Sequence, residues 1–529
     1  MKNPAVYLIG TGPGDPGLIT VHGLECLRRA DVVIHDHEVP TRTLKQARQG
    51  AELIDVGSSG RQPMEQDAIT FLLADKAREG KLVARLKRGD PFVFDRGGEE
   101  ALFLHAQGIP FEVVPGIPLG IGVPAYAGVP VTYPGGGDTI TLVRGYEDDK
   151  SVLPDIDWGS LARLDGTVVC YVGSHQLSRL FDALIANDWP TDSQAVIVYN
   201  GTLTSQVTVT GTIAELAALA HEHPRRDPAI VVVGRVAAFR NHLRWFDARP
   251  LFGKRVLVTR PRDQAAEMVD RLSIMGAEAI EAPMIRIVPA EDLGPLRRAV
   301  DNVNEFDWVV FTSANSVEAF MSTLLDGTRD VRWLKKPRLC CVGTGTAERL
   351  SRYRVKADLI PDEFRGEALV AAMADTGSIA ARHVLVPKAD IGRDVIADGL
   401  RECGAAVTDV VAYRTVLEEA QQDDGPDVYR MLLDDAIDVV TFTSPSAVRN
   451  FASIYGKEQT IDLLSRTVVA TIGPVTSDAA HQLGIPVTVQ PAVSTIAGLV
   501  DAIAAHSAYQ KRVARDRAPF RRVRRKVYG

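Results

Sequence analysis

Long apolar runs and paired cysteines are both missing from this chain of 529 residues. No apolar stretch approaches the about 18 residues that a membrane-spanning helix needs. The first apolar run meets Gly10 too soon to be the core of a secretion signal. The five cysteines, an odd number without C-x-x-C spacing, argue against a disulfide framework or a zinc site. We therefore expect a cytoplasmic protein with no membrane partner and no metal.

Negative charge outnumbers positive charge except at one end of the chain. Lys and Arg number 60 against 67 Asp and Glu, which gives a net charge of −7, and nine of those cations lie in segment 508–529. An acidic body is a poor nucleic-acid surface, so we expect no nucleic-acid partner. The basic tail, 508–529, is expected to be a solvated disordered terminus, with contact to RNA or acidic lipid as the alternative.

The remaining composition is that of a globular protein, with 46% hydrophobic and 24% charged residues. Apolar strand-like runs alternate with helical patterns almost throughout, which predicts α/β domains with mostly parallel sheets. Segment 244–253 lies between one strand pattern and a fresh one at Arg255, and it predicts a short linker between two halves.

The second half contains an internal repeat. The segment at 307–317 parallels 438–448, each an apolar strand followed by Phe-Thr-Ser; two further pairs, at 256–260 with 384–388 and at 342–346 with 472–476, have nearly the same offset. Three matched strand-turn-helix blocks predict two similar lobes with a cleft between them.

The first half carries loops that favour ligand binding. Gly10-Thr-Gly-Pro-Gly-Asp-Pro16 follows a strand but lacks the G-x-G-x-x-G spacing of a dinucleotide site, so a structural tight turn is equally compatible. Segment 85–100, RLKRGDPFVFDRGGEE, leaves a strand, turns and enters a helix, which is where ligands bind in parallel sheets. PAYAG at 124–128 and Asn200-Gly-Thr202 complete the set.

With these motifs, residues 5 to about 235 resemble uroporphyrinogen-III C-methyltransferase of the tetrapyrrole methylase family. The resemblance implies a two-lobed α/β fold in a domain at 1–245, with lobes at about 1–115 and 118–245 and a linker at 246–253 after it. It implies two methyl transfers from S-adenosylmethionine, which give precorrin-2. Members of the family are often homodimers. The resemblance also implies Asp36 as proton acceptor and Arg96 and Glu99 as substrate-orienting residues. The implied methyl-donor contacts are Pro13, Gly89, Asp90, Val93, Pro118, Leu119, Val172 and Gly201.

Several positions depart from the family pattern, and they leave open an inactive methylase module. The departures are Ser58 for a lysine, Arg88 and Asp95 for glycines, Pro118 for a threonine, Tyr133-Pro134 for a His-Arg pair and Val172 for a methionine. Arg88 is the most consequential of them. A branched cation beside the methyl donor either obstructs it or points outward and binds a substrate carboxylate.

The second half presents Thr312-Ser-Ala-Asn315 and Thr443-Ser-Pro-Ser446 between strand and helix. Such residues are ordinary helix N-caps, but a helix start also binds anions, and two such turns facing across a cleft suit a polycarboxylate. The ordered set, with Val-Leu-Val-Thr-Arg-Pro261 and Tyr413-Arg-Thr415, resembles uroporphyrinogen-III synthase over about 253–505.

The second resemblance implies cyclisation of hydroxymethylbilane with water loss and inversion of the last pyrrole, without a cofactor. It implies a domain at 254–507, with one lobe from 254–286 plus 416–505, the other from 287–415, and bridging strands near 285–288 and 410–414. Tyr413 matches the proposed acid. The candidate carboxylate holders are Arg260, Ser313, Asn315, Lys388, Thr443, Ser444, Ser446 and Thr476.

Together the two resemblances predict a bifunctional tetrapyrrole biosynthesis enzyme that makes uroporphyrinogen III and methylates it toward sirohaem or cobalamin. A synthase with a silent methylase-like module is the second hypothesis. A non-enzymatic tetrapyrrole-binding regulator is the third, although no DNA-binding helix-turn-helix is evident in the sequence.

Overall fold

The architecture was obtained as a computed structural model. It describes residues 4–57, 64–136, 138–144, 156–164, 166–173, 176–223, 227–283, 285–326, 329–362, 366–377, 379–390, 395–417 and 427–517. The chain forms two compact units, one from Met1–Lys254 with Ile274–Glu278, and the other from Arg255–Ser273 with Ala279–Gly529.

The first unit opens with sheet A. Its strands are β1 (Val6–Gly10), β2 (Val32–His35), β3 (Glu52–Asp55), β4 (Val83–Lys87) and β5 (Phe111–Val114), in the order β3-β2-β4-β1-β5. All neighbours pair in parallel, so every strand ends at the same edge. The intervening helices are α1 (Val21–Arg29), α2 (Thr41–Leu44), α3 (Gln66–Arg78) and α4 (Gly97–Ala106). The central strands β1 and β4 are buried along their whole length.

Sheet B follows helix α5 (Leu119–Tyr126). Its strands are β6 (Thr139–Arg144), β7 (Gly166–Val172), β8 (Gln194–Tyr199), β9 (Val207–Thr212) and β10 (Ala229–Val233), in the order β6-β7-β10-β8-β9. The accompanying helices are α6 (Trp158–Arg163), α7 (Leu177–Ala186), α8 (Ile213–Glu222) and α9 (Arg240–Leu243).

The expectation of mostly parallel sheets is wrong for sheet B. Only β6 and β7 among its described pairs run parallel, whereas β10 is antiparallel to both neighbours and β8 to β9. The physical reason is the short connection at 200–206 between β8 and β9, which is too short for a crossover and forces the chain to turn back.

The second unit contains sheets C and D. Sheet C has the order β12-β11-β18-β19, from β11 (Arg255–Val258), β12 (Glu278–Glu281), β18 (Val439–Phe442) and β19 (Val468–Thr471). Sheet D has the order β13-β17-β16-β14-β15, from β13 (Ile285–Pro289), β14 (Trp308–Phe311), β15 (Arg338–Cys341), β16 (His383–Ala389) and β17 (Ala406–Leu417). The two strands expected to bridge the lobes, β13 and β17, pair antiparallel within sheet D.

The helices of the second unit cover these sheets. They are α10 (Arg262–Ile274), α11 (Gly294–Asp301), α12 (Ala314–Leu325), α13 (Thr344–Arg352), α14 (Gly366–Asp375), α15 (Val395–Glu402), α16 (Val428–Leu433), α17 (Pro445–Tyr455), α18 (Lys457–Leu464), α19 (Pro474–Gln482) and α20 (Ile496–Arg517). Separate apolar cores lie on sheet C, around Phe442 and Phe451, and on sheet D, around Phe311 and Phe320.

The sequence repeat is a structural repeat. In its first block, β14–α12 corresponds to β18–α17, and in its second block, β15–α13 corresponds to β19–α19. In the remaining pair, β16 corresponds to β11. In sheet C the order β11-β18-β19 therefore has its counterpart in the order β16-β14-β15 of sheet D. Equivalent loops consequently leave equivalent strands at the carboxyl edge of each sheet.

Two expectations about connecting segments change. The segment expected to be a linker is packed, because Phe246 is buried against Tyr126, at 4.7 Å between ring centroids, and Trp245 Nε1 donates to the Ala125 carbonyl at 2.9 Å. The expected disordered tail is helical as far as Arg517, since its first residues are good helix formers and no proline follows before Pro519. Residues 518–529 lie outside the described part.

Among the helices of the described residues, none combines the length and the apolar character of a membrane span.

Candidate active sites

Three glycine turns meet at the carboxyl edge of sheet A. Gly10 ends β1, while Gly89 and Gly116 lie in the loops after β4 and β5. A Cβ atom on Gly116 would lie 2.1 Å from the Gly89 carbonyl oxygen, and one on Gly10 would lie 2.5 Å from the Gly116 nitrogen. Asp90 Oδ2 accepts from the Gly116 nitrogen at 3.0 Å and fixes this arrangement. The three turns therefore pack backbone against backbone, which only glycine allows at these positions.

A cavity of about 320 Å³ lies between these loops and sheet B. Of the residues expected to contact the methyl donor, Leu119, Val172 and Gly201 line it. Its remaining lining combines aliphatic and aromatic residues with charged and polar ones and consists of Glu38, Arg88, Phe94, Val123, Arg144, Tyr171, Gly173, Val198, Asn200, Pro228, Ala229 and Ile230.

The other expected donor contacts surround the cavity without lining it. A Cβ on Gly89 would meet Leu119 Cδ1 at 2.6 Å, and one on Gly122 would meet Pro13 Cγ at 2.7 Å, so these loops are in direct contact. Pro118 precedes α5 as its N-cap residue, and Val93 donates its backbone N–H to the Asp90 carbonyl at 3.3 Å.

Unusual backbone conformations gather at this cavity. Phe94, Asn200 and Thr202 have φ angles of 55°, 48° and 69°. The first two line the cavity, and Thr202 accepts the Asp15 N–H on its hydroxyl at 3.1 Å, joining the opening glycine loop to the loop after β8. A positive φ is costly for a β-branched residue, and such strain is concentrated at functional sites.

A buried network of charged residues lies under the same loops. Arg85 and Lys87, both 1% exposed, donate to Glu100 Oε1 at 3.2 and 3.1 Å. Arg85 Nη2 also donates to Asp36 Oδ1 at 2.5 Å, and Lys87 pairs with Asp95 at 2.9 Å. Two buried cations and three carboxylates thus pair with one another, as buried charges generally must, although Glu100 Oε2 is buried without a hydrogen-bond partner among the residues that the structure describes. Arg85 therefore holds the expected proton acceptor in a fixed position.

Burial and neighbouring charges shift the pKa values of Asp95 and Arg85. Desolvation raises the pKa of Asp95 even though the Lys87 ammonium acts to lower it. Desolvation lowers the pKa of Arg85, but Glu100 and Asp36 outweigh it and raise that pKa overall. Arg85 consequently stays a cation while it holds Asp36.

Arg96 and Glu99, the expected substrate-orienting residues, pair with each other. Arg96 Nη2 lies 2.7 Å from Glu99 Oε2, and both side chains are more than half exposed at the start of α4. They lie on the solvent side of a helix whose buried Glu100 belongs to the charged network.

The departures from the family pattern each have a position in this structure, apart from Ser58, which lies outside the described residues. Arg88 Nε donates to the Pro13 carbonyl at 3.0 Å, and Asp95 joins the charged network. Val172 is buried in the cavity wall. Tyr133, half exposed, packs on Phe239 at 4.3 Å between ring centroids.

A second cluster lies between sheets C and D. Ser313, the N-cap of α12, lies 3.0 Å from the hydroxyl of Tyr413 through its Oγ. Gln264 of α10 donates from Nε2 to Asn315 Oδ1 at 2.6 Å and accepts from Arg260 Nη2 at 3.2 Å. Because α10 follows β11 and α12 follows β14, this pair joins the carboxyl edges of the two sheets.

Tyr413 is buried in this cluster. Burial raises the pKa of its hydroxyl, although hydrogen bonds from Ser313 and Asn315 act in the opposite direction. The hydroxyl therefore remains protonated at neutral pH and is available as a proton donor. Arg260, Ser313, Asn315 and Tyr413 are thus brought together by the fold.

The other candidate carboxylate holders are distributed differently. Ser444 is the N-cap of α17, and its Oγ lies 3.1 Å from Ser446 Oγ. Thr443 beside it is half-buried, and Thr476 is buried in the first turn of α19. These four follow β18 and β19 at the same edge of sheet C as Arg260. Lys388 instead pairs with Asp409 at 2.5 Å, and that carboxylate also binds Arg401.

Sequence reasoning missed Arg85, Lys87, Glu100 and Gln264. The signal for the first three was present, because two cations at alternating positions in a buried strand need buried anions, and Glu100 follows on the next helix. Gln264 carried no comparable signal, since its partner is 51 residues away in the chain. Within the described residues, no cluster of His, Cys, Asp and Glu has an arrangement that would hold a metal ion.

Comparison with known proteins assigns each half of the chain separately. Residues 5–217 match the family model described as tetrapyrrole (corrin/porphyrin) methylases. Residues 266–501 match the model described as uroporphyrinogen-III synthase HemD.

Individual relatives agree with this division. The chain is 35% identical to the porphyrin biosynthesis protein HemD of Ruminiclostridium josui, over 95% of this chain and 98% of that protein. Its first half is 42% identical to the S-adenosyl-L-methionine-dependent uroporphyrinogen III methyltransferase of Methanosarcina barkeri, over 44% of this chain and 91% of that protein.

Among solved structures, the uroporphyrin-III C-methyl transferase of Thermus thermophilus complexed with S-adenyl homocysteine is similar, at 33% identity. The match covers 44% of this chain and 98% of that one, with a TM-score of 0.39. The matches along the sequence establish that this chain belongs to the family of proteins that join a tetrapyrrole methylase to a uroporphyrinogen-III synthase.

Proposed function

We propose that the chain is a bifunctional enzyme that cyclises hydroxymethylbilane to uroporphyrinogen III and methylates that product twice to precorrin-2. The observation that carries the proposal is the presence of two complete and chemically different clusters in one chain. One is a cavity with aliphatic, aromatic and charged walls near a fixed carboxylate, and the other is a hydroxyl-rich cleft around a protonated tyrosine.

The first cavity fits S-adenosylmethionine. Its aliphatic residues suit an adenosine, and the closely packed glycine turns fix the loops after β4 and β5 beside it. Phe94 and Tyr171, packed edge to face at 4.9 Å, border the cavity and suit a cationic sulfonium. Pro13, Gly89, Asp90, Val93, Pro118, Leu119, Val172 and Gly201 would hold the donor, which supplies an electrophilic methyl group when bound.

Methyl transfer to a pyrrole carbon requires positioning and a proton acceptor. The walls of the cavity supply the positioning, since they restrict the approach of donor and acceptor. As the new carbon–carbon bond forms, the methyl–sulfur bond breaks and S-adenosylhomocysteine leaves. The attacked ring carbon already carries a side chain and has no hydrogen, so the methylated ring is left as a cation. That cation must release a proton from its nitrogen or from a neighbouring bridge carbon, and Asp36 accepts it as general base. Arg85 keeps the Asp36 carboxylate in place, and Arg96 with Glu99 orients the substrate at the solvent side.

Ring closure makes different demands. The terminal hydroxyl of hydroxymethylbilane leaves as water when its carbon–oxygen bond breaks, and Tyr413 donates the proton that the oxygen needs. Arg260, Asn315 and the hydroxyls of Thr443, Ser444, Ser446 and Thr476 bind the carboxylates of the flexible chain at the two sheet edges. Holding the chain in this way favours the route that inverts the last ring over direct closure.

The coupled reaction tests the proposal. Purified full-length protein is incubated without oxygen with hydroxymethylbilane and S-adenosylmethionine, and the products are identified by mass spectrometry and isomer analysis. We expect a dimethylated macrocycle of the inverted isomer. Accumulation of unmethylated uroporphyrinogen III would contradict the methylase activity, and an uninverted macrocycle would contradict the synthase activity.

A further inference from the structure

An ion pair between Arg88 and Glu38 lines the cavity of the methylase half, and its geometry is incomplete. Arg88 Nη1 lies 3.5 Å from Glu38 Oε1, whereas a charge-assisted hydrogen bond measures about 2.7–2.9 Å. Both residues line the cavity, and their side chains are 18% and 57% exposed. No short hydrogen bond therefore closes the pair, and each member can turn to a ligand group in the cavity.

The Arg88 side chain has a fixed base. Its Nε–H donates to the Pro13 carbonyl at 3.0 Å, so one of the five guanidinium N–H groups is used by the loop that is expected to contact the methyl donor. This hydrogen bond directs the terminal nitrogens along the cavity and toward Glu38. The arginine that replaces a family glycine thus borders the donor site instead of filling the space of the glycine turn.

A cation and an anion side by side in a cavity that also has aliphatic and aromatic walls match a zwitterion on a less polar body. The amino-acid end of S-adenosylmethionine is such a zwitterion, with an α-carboxylate for Arg88 and an α-ammonium for Glu38. A substrate carboxylate fits the pair less well, because Glu38 would repel it. Arg144 is the other cation that lines the cavity. The pKa of the Glu99 carboxyl is lowered mainly by the hydrogen bond from Arg96, and the charge of Arg144 adds to this effect.

We propose that Arg88 and Glu38 form a specificity site of this chain for the α-amino-acid group of the methyl donor. The proposal rests on the methyltransferase function proposed above and adds to it two residues that no family motif supplies. It also chooses between the two roles considered for Arg88, because an arginine at this site strengthens donor binding, whereas an obstructing arginine would weaken it.

Calorimetric binding of two nucleosides to the full-length protein tests the proposal. S-adenosylhomocysteine carries the amino-acid end, and 5′-methylthioadenosine lacks it. We expect Arg88→Ala to weaken S-adenosylhomocysteine binding about ten- to a hundredfold and 5′-methylthioadenosine binding less than about twofold. Glu38 is largely exposed, so Glu38→Gln should be tolerated by the fold. We expect it to weaken S-adenosylhomocysteine binding about fivefold more than 5′-methylthioadenosine binding.

The matched control is Arg78→Ala, which removes the same charge from an exposed arginine paired with Asp75 and should change neither affinity. Equal weakening of both ligands by Arg88→Ala would overturn the proposal, and so would unchanged or tighter S-adenosylhomocysteine binding. Failure of the wild-type protein to bind either nucleoside would instead contradict the methyltransferase function itself.

Discussion

The methylase cavity and the synthase cleft use opposite means to control a reaction. The cavity is built from glycine turns in backbone contact, strained residues and a buried charged network. The cleft is built from helix N-caps and side-chain hydrogen bonds that join two sheet edges. The first arrangement is held by backbone packing and buried ion pairs, whereas the second is held by a few hydrogen bonds.

This difference follows from the two chemistries. Methyl transfer joins two atoms that must meet in line, so a rigid seat contributes most to the rate. Cyclisation requires a flexible polycarboxylate to be folded, so many weak polar contacts on two lobes are better suited. The comparison predicts that backbone crowding is critical in the first half and that single hydrogen bonds have graded effects in the second.

The largest effect is expected at the glycine cradle. In Gly116→Ala the new Cβ would lie 2.1 Å from the Gly89 carbonyl oxygen, a backbone atom that cannot move aside cheaply. We expect a loss of stability of about 1–3 kcal/mol and at least about a hundredfold loss of methylation, with cyclisation retained. Thermal unfolding and separate assays of the two reactions measure these effects.

The control for the cradle is Gly345→Ala in α13, where a Cβ meets nothing within 4 Å. It should leave both reactions unchanged and raise stability slightly, since alanine favours a helix. Methylation at the wild-type rate by Gly116→Ala would show that the three turns do not form the binding site of the methyl donor.

An intermediate effect is expected at the link between the lobes of the second unit. Gln264→Ala removes the hydrogen bond to Asn315, which in turn contacts Tyr413. We expect kcat/KM for cyclisation to fall about five- to tenfold, the value of one lost hydrogen bond, while methylation stays unchanged. Gln459→Ala, which removes an exposed glutamine bonded to Tyr429, is the matched control. Equal rates in the two variants would remove Gln264 from the account.

The smallest effect concerns stability and pH. The pKa of Asp409 is lowered, first by the hydrogen bond from Lys388 and then by the charges of Lys388 and Arg401. A lowered folded-state pKa stabilises the fold above the unfolded value of about 3.9 and loses that contribution as pH falls through the folded value. Asp409→Asn should therefore lower Tm by about 2–4 °C at pH 7, with the difference vanishing toward pH 3. An equal Tm difference at both pH values would contradict the assignment.

Most patterns that are local in the chain led to correct expectations, the linker and the basic tail being exceptions, whereas patterns that depend on distant partners did not. The strand-loop-helix blocks and the repeat follow from periodicity and turn residues, which neighbouring positions determine. The direction of β10 and the partners of Arg85 depend on how separate elements meet, which periodicity does not encode. For the sites, glycine loops revealed where a ligand fits, but the roles of Asp36, Tyr413 and the carboxylate holders remain predictions.

The central claim is that each half of the chain performs its own reaction with its own residues. Rates of cyclisation and methylation, measured separately for Asp36→Asn and Tyr413→Phe, test it most directly. We predict that Asp36→Asn slows methylation about 10²- to 10⁴-fold and leaves cyclisation at the wild-type rate, and that Tyr413→Phe slows cyclisation modestly and leaves methylation of added uroporphyrinogen III intact. Loss of both reactions in either folded variant, or of neither in both, would contradict the account.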